Sequence, residues 1–307
     1  MNIGIVGLGR MGGNMARRLA RAGVHVVGFD PDAGSRKALR DDRVLDAVES
    51  LPLLVRALPA ARVIWPMVPS GTATELAIEE LWPELARGDV IVDGGNANYK
   101  DSQRRAAALA TAGIHFVDCG VSGGVHGLEN GYTLMFGGSN EGAQAILPYV
   151  KLLAPAADRG YLHCGPPGAG HFVKMIHNGI EYGMMQAYAE GFALLKNKHE
   201  LHLDLAAIAE TWRHGSVVRS WLLDLTAEFL HQDVELADIA PIVADSGEGR
   251  WTVQEAVEQG VPAPVLTLAL MARFASQGND DYAARMLAMM RKGFGGHPVQ
   301  KKKGRAR

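Results

Sequence analysis

The stretch Ile3-Gly4-Ile5-Val6-Gly7-Leu8-Gly9-Arg10-Met11-Gly12 joins a β-branched run to a glycine-spaced turn, and the apolar periodicity that continues through Leu19 reads as a helix. A G-x-G-x-x-G spacing between strand and helix has a physical reason at each glycine. The first permits a tight turn, the second lets the backbone approach a pyrophosphate, and the third packs helix on strand, while free N–H groups at the helix N-terminus hold the anion. Gly7, Gly9, Arg10, Met11 and Gly12 are therefore expected to bind a dinucleotide. Asp30 ends the next apolar run, roughly twenty residues on, where a carboxylate accepts hydrogen bonds from both adenosine ribose hydroxyls. It would repel a 2′-phosphate, and Pro31 follows where a phosphate-pairing arginine could stand, with Arg36 still within reach along the chain. NAD is the expected cofactor and NADP the less favoured one.

Six more runs share the β-branched character: Val24 to Phe29, Arg62 to Met67, Val90 to Asp93, Ile114 to Cys119, Thr133 to Phe136 and Tyr161 to His163. Amphipathic helical segments alternate with them, which predicts a parallel sheet with helices on both faces. After Pro166-Pro167 strands disappear, and a Met- and Ala-rich helical pattern runs from about Ala169 to Lys198, with further helices behind it. The fold class is thus α/β, with a Rossmann-type NAD-binding domain over 1-166. An all-α domain over 167-307 follows it.

With 307 residues, 48% of them hydrophobic, the chain can bury a large core, and a net charge of -2 gives no general field for nucleic acid. The basic block Lys301-Lys302-Lys303 with Arg305 and Arg307 reads as a solvated terminus. Cys119 and Cys164 form no CxxC and suggest neither a metal site nor a disulfide; both are expected in the core. Ile3 to Val6 is too short for the centre of a signal peptide, and no window approaches the roughly 20 apolar residues that span a bilayer. A cytoplasmic protein with neither a membrane nor a nucleic acid as partner is expected.

The fourth run leads into Asp93-Gly94-Gly95-Asn96 and the next into Asp118-Cys119-Gly120-Val121-Ser122-Gly123-Gly124, both read as polar loops at strand C-termini. Ligands of open α/β sheets bind at that edge, so Asn96 and Ser122 are candidates to meet nicotinamide and a polyol substrate. Val68, just past the third run, joins the cofactor-binding positions. Further on, Lys174, His177, Asn178 and Glu181 fall at i, i+3, i+4 and i+7 among Phe172, Val173, Met175, Ile176 and Ile180. That spacing stacks an amine, an imidazole, an amide and a carboxylate on one face of a helix expected to be otherwise buried. Such a stripe is costly to leave unpaired and should line a polar cavity. A lysine in a partly apolar pocket suits general-base work on an alcohol.

The run Lys174-x-x-His177-Asn178-Gly179-Ile180-Glu181-Tyr182, with Gly94-Gly95-Asn96 and Val121-Ser122-Gly123-Gly124, resembles 6-phosphogluconate dehydrogenase, in a short bacterial form. The resemblance continues through Trp212, Gly215 to Ser220 and Gly249-Arg250-Trp251-Thr252, and so spans nearly the whole chain. It implies oxidative decarboxylation of 6-phosphogluconate in the pentose phosphate pathway, without a metal. Lys174 would be the base and then the acid, and Glu181 would protonate C1. Asn178 and His177 would position the C3 oxygen, with Ser122, Gly123 and Gly124 on the carboxylate region. Asn96, Tyr182, Arg273, Arg291 and His297 would complete substrate binding. The Arg291 to His297 segment resembles the family tail that reaches into a partner subunit, which implies a homodimer or a dimer-based tetramer and makes 167-307 a substrate-binding and dimerisation domain with a C-terminal tail. One departure stands out: Ser246-Gly247-Glu248 occupies the place where longer members set a lysine and a threonine against the sugar phosphate.

Two rival readings are a β-hydroxyacid dehydrogenase of the 3-hydroxyisobutyrate type and a non-catalytic NAD sensor. A simple hydroxyacid needs no C1 proton donor or phosphate clamp, and a sensor has no use for the stripe from Lys174 to Glu181.

Overall fold

The computed structural model describes residues 1–278, 281–295 and 298. Among these, one sheet contains β1 (Asn2–Val6), β2 (His25–Phe29), β3 (Asp46–Ala47), β4 (Val63–Pro66), β5 (Val90–Asp93), β6 (His115–Ser122), β7 (Thr133–Gly138) and β8 (Tyr161–Gly165). Their order is β3-β2-β1-β4-β5-β6-β7-β8. Neighbours along each strand point to opposite faces, so the β-branched runs supply two cores at once. Val26, Val63 and Val90 join Met15 and Leu19 of the helix Arg10–Arg21 on one face. Val27, Ile64 and Ile91 join Leu54, Leu81 and Leu109 on the other.

The sheet departs from the expected pattern in two ways. The strand β3, two residues long, had no visible run behind it. And β7 lies antiparallel to β6, with β8 parallel to β7, so the strands from β3 through β6 run one way and β7 and β8 run the other. The link from Ser122 to Thr133 contains only a 3₁₀ turn and the short helix Gly127–Asn130. A parallel return needs a crossover of a dozen or more residues, so this short link reverses the chain. The following helix Asn140–Leu153 is long enough for a crossover, and β8 accordingly runs parallel to β7.

Below the helix Tyr99–Ala110, Arg105 lies buried with one nitrogen 3.0 Å from Asp93, which is wholly inaccessible, and another 2.8 Å from Glu75. This pairing fixes the end of β5. Cys119 is buried in the core as expected, but Cys164 is only half-buried, because β8 is an edge strand with a neighbour on one side only.

Contacts divide the chain into Met1–His177 and Asn178–Arg307, and the division falls inside the long helix Ala169–Asn197, beyond the boundary expected at 166. The first turns of that helix belong with the sheet because glycines admit them. A Cβ on Gly170 would lie 2.5 Å from the Asp118 carbonyl and 2.6 Å from that of Met135. The second unit is helical, with Leu205–Arg213, Trp221–Gln232, Glu248–Gln259, Pro264–Ser276 and Asp281–Gly295 following the long helix. Phe192, Leu205, Leu223 and Leu230 form its main core. No helix among the described residues is long and apolar enough to cross a membrane.

Candidate active site

The glycine loop has the geometry its spacing predicts. Gly7 holds φ +87° and donates to Phe29 O at 2.8 Å. A Cβ on Gly12 would stand 1.9 Å from the Gly7 carbonyl, so this glycine lets helix and strand touch, whereas a Cβ on Gly9 would meet nothing within 4 Å. The helix N-terminus at Gly9 has no side-chain cap. A tight turn, an open backbone face and uncapped N–H groups fit the pyrophosphate of a dinucleotide. Arg10 and Met11 open the helix there, and Val68 borders the turn, its Cγ1 3.0 Å from a Cβ built on Gly7.

Asp30 directly follows β2 and accepts from Leu8 N at 2.7 Å and Asp32 N at 2.8 Å, so its carboxylate is fixed by backbone N–H groups of the glycine turn and of its own loop. Arg36, which the sequence leaves within reach of a phosphate, donates to the carbonyls of Asp30 (2.6 Å) and Pro31 (3.2 Å). Its guanidinium holds the turn together.

At the same sheet edge, Asn96 adopts a left-handed φ of 50°. Its side-chain oxygen accepts from Val121 N at 3.1 Å and its amide nitrogen donates to Val121 O at 3.4 Å. The Gly94-Gly95-Asn96 loop is thereby clamped to the end of β6, beside Ser122 and the positive-φ pair Gly123 and Gly124. Asp118, which belongs both to the Ile114 to Cys119 run and to the polar segment read after it, lies inside β6 paired with Asp93 of β5, and β6 extends on to Ser122.

Lys174 is 5% exposed, and the glycine of β6 makes room for it: a Cβ on Gly120 would meet the Lys174 Cβ at 2.3 Å. Its Nζ lies 3.4 Å from His177 Nδ1. The same continuous helix carries Asn178 and Glu181 onward, both half-buried, on the face that holds Lys174. The rest of this stretch is less buried than expected, since Val173 and Ile180 are exposed. They point away from the Lys174 face.

In the second unit the structure brings Tyr182 and Arg273 together, with the guanidinium 3.5 Å from the ring centroid and donating to Ala244 O at 2.8 Å. The Tyr182 hydroxyl donates to Asp245 Oδ1 at 3.2 Å, and Arg250 pairs with the same carboxylate. Burial alone would raise the Asp245 pKa, but Arg250, the Gly247 N–H and the Tyr182 hydroxyl hold it below the usual range. Ser246 donates to Glu248, so the residues standing in place of the lysine and threonine bond to each other. Arg291 is exposed on Asp281–Gly295, and His297 lies outside the described residues.

Three residues under the lysine were not singled out in the sequence. Asp118 accepts from the backbone N–H groups of Gly168 and His171, and His171 Nδ1 lies 2.7 Å from Ser102 Oγ. Burial pushes the Asp118 carboxyl up, opposed by His171 and by those N–H groups. The available signal was a carboxylate and an imidazole inside apolar runs, Phe116-Val117-Asp118-Cys119 and His171-Phe172-Val173.

A family model described as NAD binding domain of 6-phosphogluconate dehydrogenase matches residues 2–164, and one described as 6-phosphogluconate dehydrogenase, C-terminal domain, matches 170–304. A Haloferax volcanii protein named 6-phosphogluconate dehydrogenase, NAD(+)-dependent, decarboxylating, is 43% identical over 303 residues, 98% of this chain and 99% of that one. Among solved structures, the Plasmodium falciparum 6-phosphogluconate dehydrogenase, described with its cofactor NADP+ and its substrate, superposes with a TM-score of 0.83 at 26% identity, covering 100% of this chain and 67% of that one. A Salmonella typhimurium 3-hydroxyisobutyrate dehydrogenase gives 0.74 at 24% identity over 91% of this chain and 95% of that one, a likeness of fold.

Proposed function

The chain belongs to the 6-phosphogluconate dehydrogenase family, and from that premise we propose that it oxidises and decarboxylates 6-phosphogluconate to ribulose 5-phosphate and carbon dioxide, with NAD as oxidant. The observation that carries this reading is the buried Lys174 on a helix that continues through Asn178 and Glu181. Asp30, with Arg36 committed to the turn, favours NAD over NADP.

The nicotinamide supplies a hydride acceptor. Lys174 takes the proton of the C3 hydroxyl as hydride leaves C3, giving a 3-keto acid. That acid loses carbon dioxide as Lys174, now protonated, supports negative charge on the carbonyl oxygen. Glu181 then delivers a proton to C1 of the enediol. Asn178 and His177 position the C3 oxygen, Asn96, Ser122, Gly123 and Gly124 hold the substrate near its carboxylate, and Arg273 over Tyr182 binds the phosphate end with Arg291 and His297. A guanidinium can take a phosphate through two hydrogen bonds, which compensates for the lysine absent at Ser246. Exposed apolar residues of the helical unit, Val257 at 77% and Leu268 at 68% among them, support assembly into a homodimer or a dimer-based tetramer, and we place the enzyme in the cytoplasm.

The test is to follow NADH and carbon dioxide together after adding NAD and 6-phosphogluconate. Both should rise in equal amounts, and Lys174→Met should abolish both while sparing NAD binding. NADH without carbon dioxide would indicate a simple hydroxyacid dehydrogenase, and neither product would remove the reading. Glu181→Gln should slow the steps after decarboxylation; an unchanged rate removes its acid role.

A further inference from the structure

We infer that Asp118, His171 and Ser102 are positioning residues for Lys174, acting through the first turns of the helix that carries it. The inference rests on the reading of Lys174 as the base.

Helix N-termini leave backbone N–H groups without partners inside the helix. Here Asp118 supplies two acceptors from a neighbouring strand, taking Gly168 N at 2.6 Å and His171 N at 2.8 Å. The His171 ring then reaches sideways to Ser102 of the helix Tyr99–Ala110, Nδ1 to Oγ at 2.7 Å, and both residues are buried. Ser102 Oγ donates to Asn98 O at 3.4 Å, so the consistent assignment has His171 Nδ1–H donating to Ser102. Beside this pair the Tyr99 and Phe172 rings meet edge to face, 5.2 Å between centroids. The root of Lys174 is thus fixed from three sides: by Asp118 at the helix start, by Ser102 through His171, and by Gly120 at its own Cβ.

A merely structural contact would be better made from apolar residues. Asp118 is wholly buried, and His171 Nε2 has no hydrogen-bond partner among the described residues. Burying a carboxylate and half-satisfying an imidazole is costly. What these groups supply that a leucine would not is direction, because hydrogen bonds set the helix's position along β6 and its rotation about its own axis. A general base is sensitive to both, since a displacement of about 1 Å costs on the order of 10²-fold in rate.

The experiment compares Ser102→Ala in two backgrounds, the otherwise native chain and Lys174→Ala supplied with methylamine as a diffusible base. In the first, kcat should fall about tenfold, with KM for NAD and for 6-phosphogluconate held within about twofold. In the second, Ser102→Ala should cost less than about twofold, because a free amine is not held by the helix. Asp118→Asn, which keeps one acceptor oxygen, should show the same dependence on background. Equal losses in both backgrounds, or no loss in the first, would overturn the inference. Failure of the underlying reading looks different: Lys174→Ala then keeps its turnover without amine, which removes the base and this inference with it.

Discussion

A methyl group on Gly120 would stand 2.3 Å from Cβ and 2.8 Å from Cγ of Lys174, so β6 and the helix that carries Lys174 touch with nothing between them. Neither clashing atom is the far end of a flexible side chain, and the helix itself would have to move. Gly120→Ala should therefore lower turnover by about 10²-fold and destabilise the chain by about 1–3 kcal/mol, with NAD affinity unchanged. Steady-state rates, a thermal melt and a cofactor titration together check this. Normal turnover would mean that Lys174 tolerates displacement.

Asp30 joins the loop and the expected ribose position, since it accepts from both Leu8 and Asp32. Hydrogen bonds to a charged group contribute about 1.5–3 kcal/mol, so Asp30→Ala should raise KM for NAD by about tenfold or more. Removing the carboxylate also removes its repulsion of a 2′-phosphate, and preference for NAD over NADP should narrow. Ratios of kcat/KM with the two cofactors decide the matter; an unchanged ratio would move discrimination elsewhere.

The Arg105 and Asp93 pair, 3.0 Å apart, is buried on both sides. Taking away one member strands the other as an uncompensated charge, and Arg105→Met should cost about 3–5 kcal/mol. Urea denaturation would measure it. A loss no larger than that of an exposed ion pair, under about 1 kcal/mol, would refute the account.

Asp245 has a folded pKa below its ordinary 3.8. A depressed carboxylate stabilises the fold fully above its unfolded pKa, and that contribution is lost as pH falls through the lower folded value. The melting temperature should hold on acidification to about pH 4 and drop below it, and Arg250→Gln should flatten this part of the profile. Melts across the acid range in both proteins provide the comparison. Identical profiles would show that the ion pair contributes nothing to acid sensitivity.

The sequence made legible what is enforced locally. Gly7 needs its positive φ and Gly12 its missing side chain whatever the rest of the chain does, and Lys174, Asn178 and Glu181 share a face by helical period alone. Hydrophobic runs show that a strand exists but not which way it points, so the reversal at β7 was invisible, and β3 is too short to leave a run. Ser102 and His171 are 69 positions apart, and nothing in either neighbourhood names the other. Arg36 was legible as a cation near the ribose position; its use on the Asp30 and Pro31 carbonyls depends on how the turn folds.

The reversal at β7 also decides where Lys174 arrives. Had β7 and β8 continued parallel to β6, the chain would have left the sheet at the cofactor edge, and the next helix would have carried Lys174 away from it. Because both strands run the other way, the helix starts at the far side. It passes Asp118 at its first turn and Gly120 at its second, travelling along β6 toward Ser122. A change of strand direction, silent in the hydrophobic pattern, delivers an amine from the C-terminal half of the chain to an edge built by the N-terminal half.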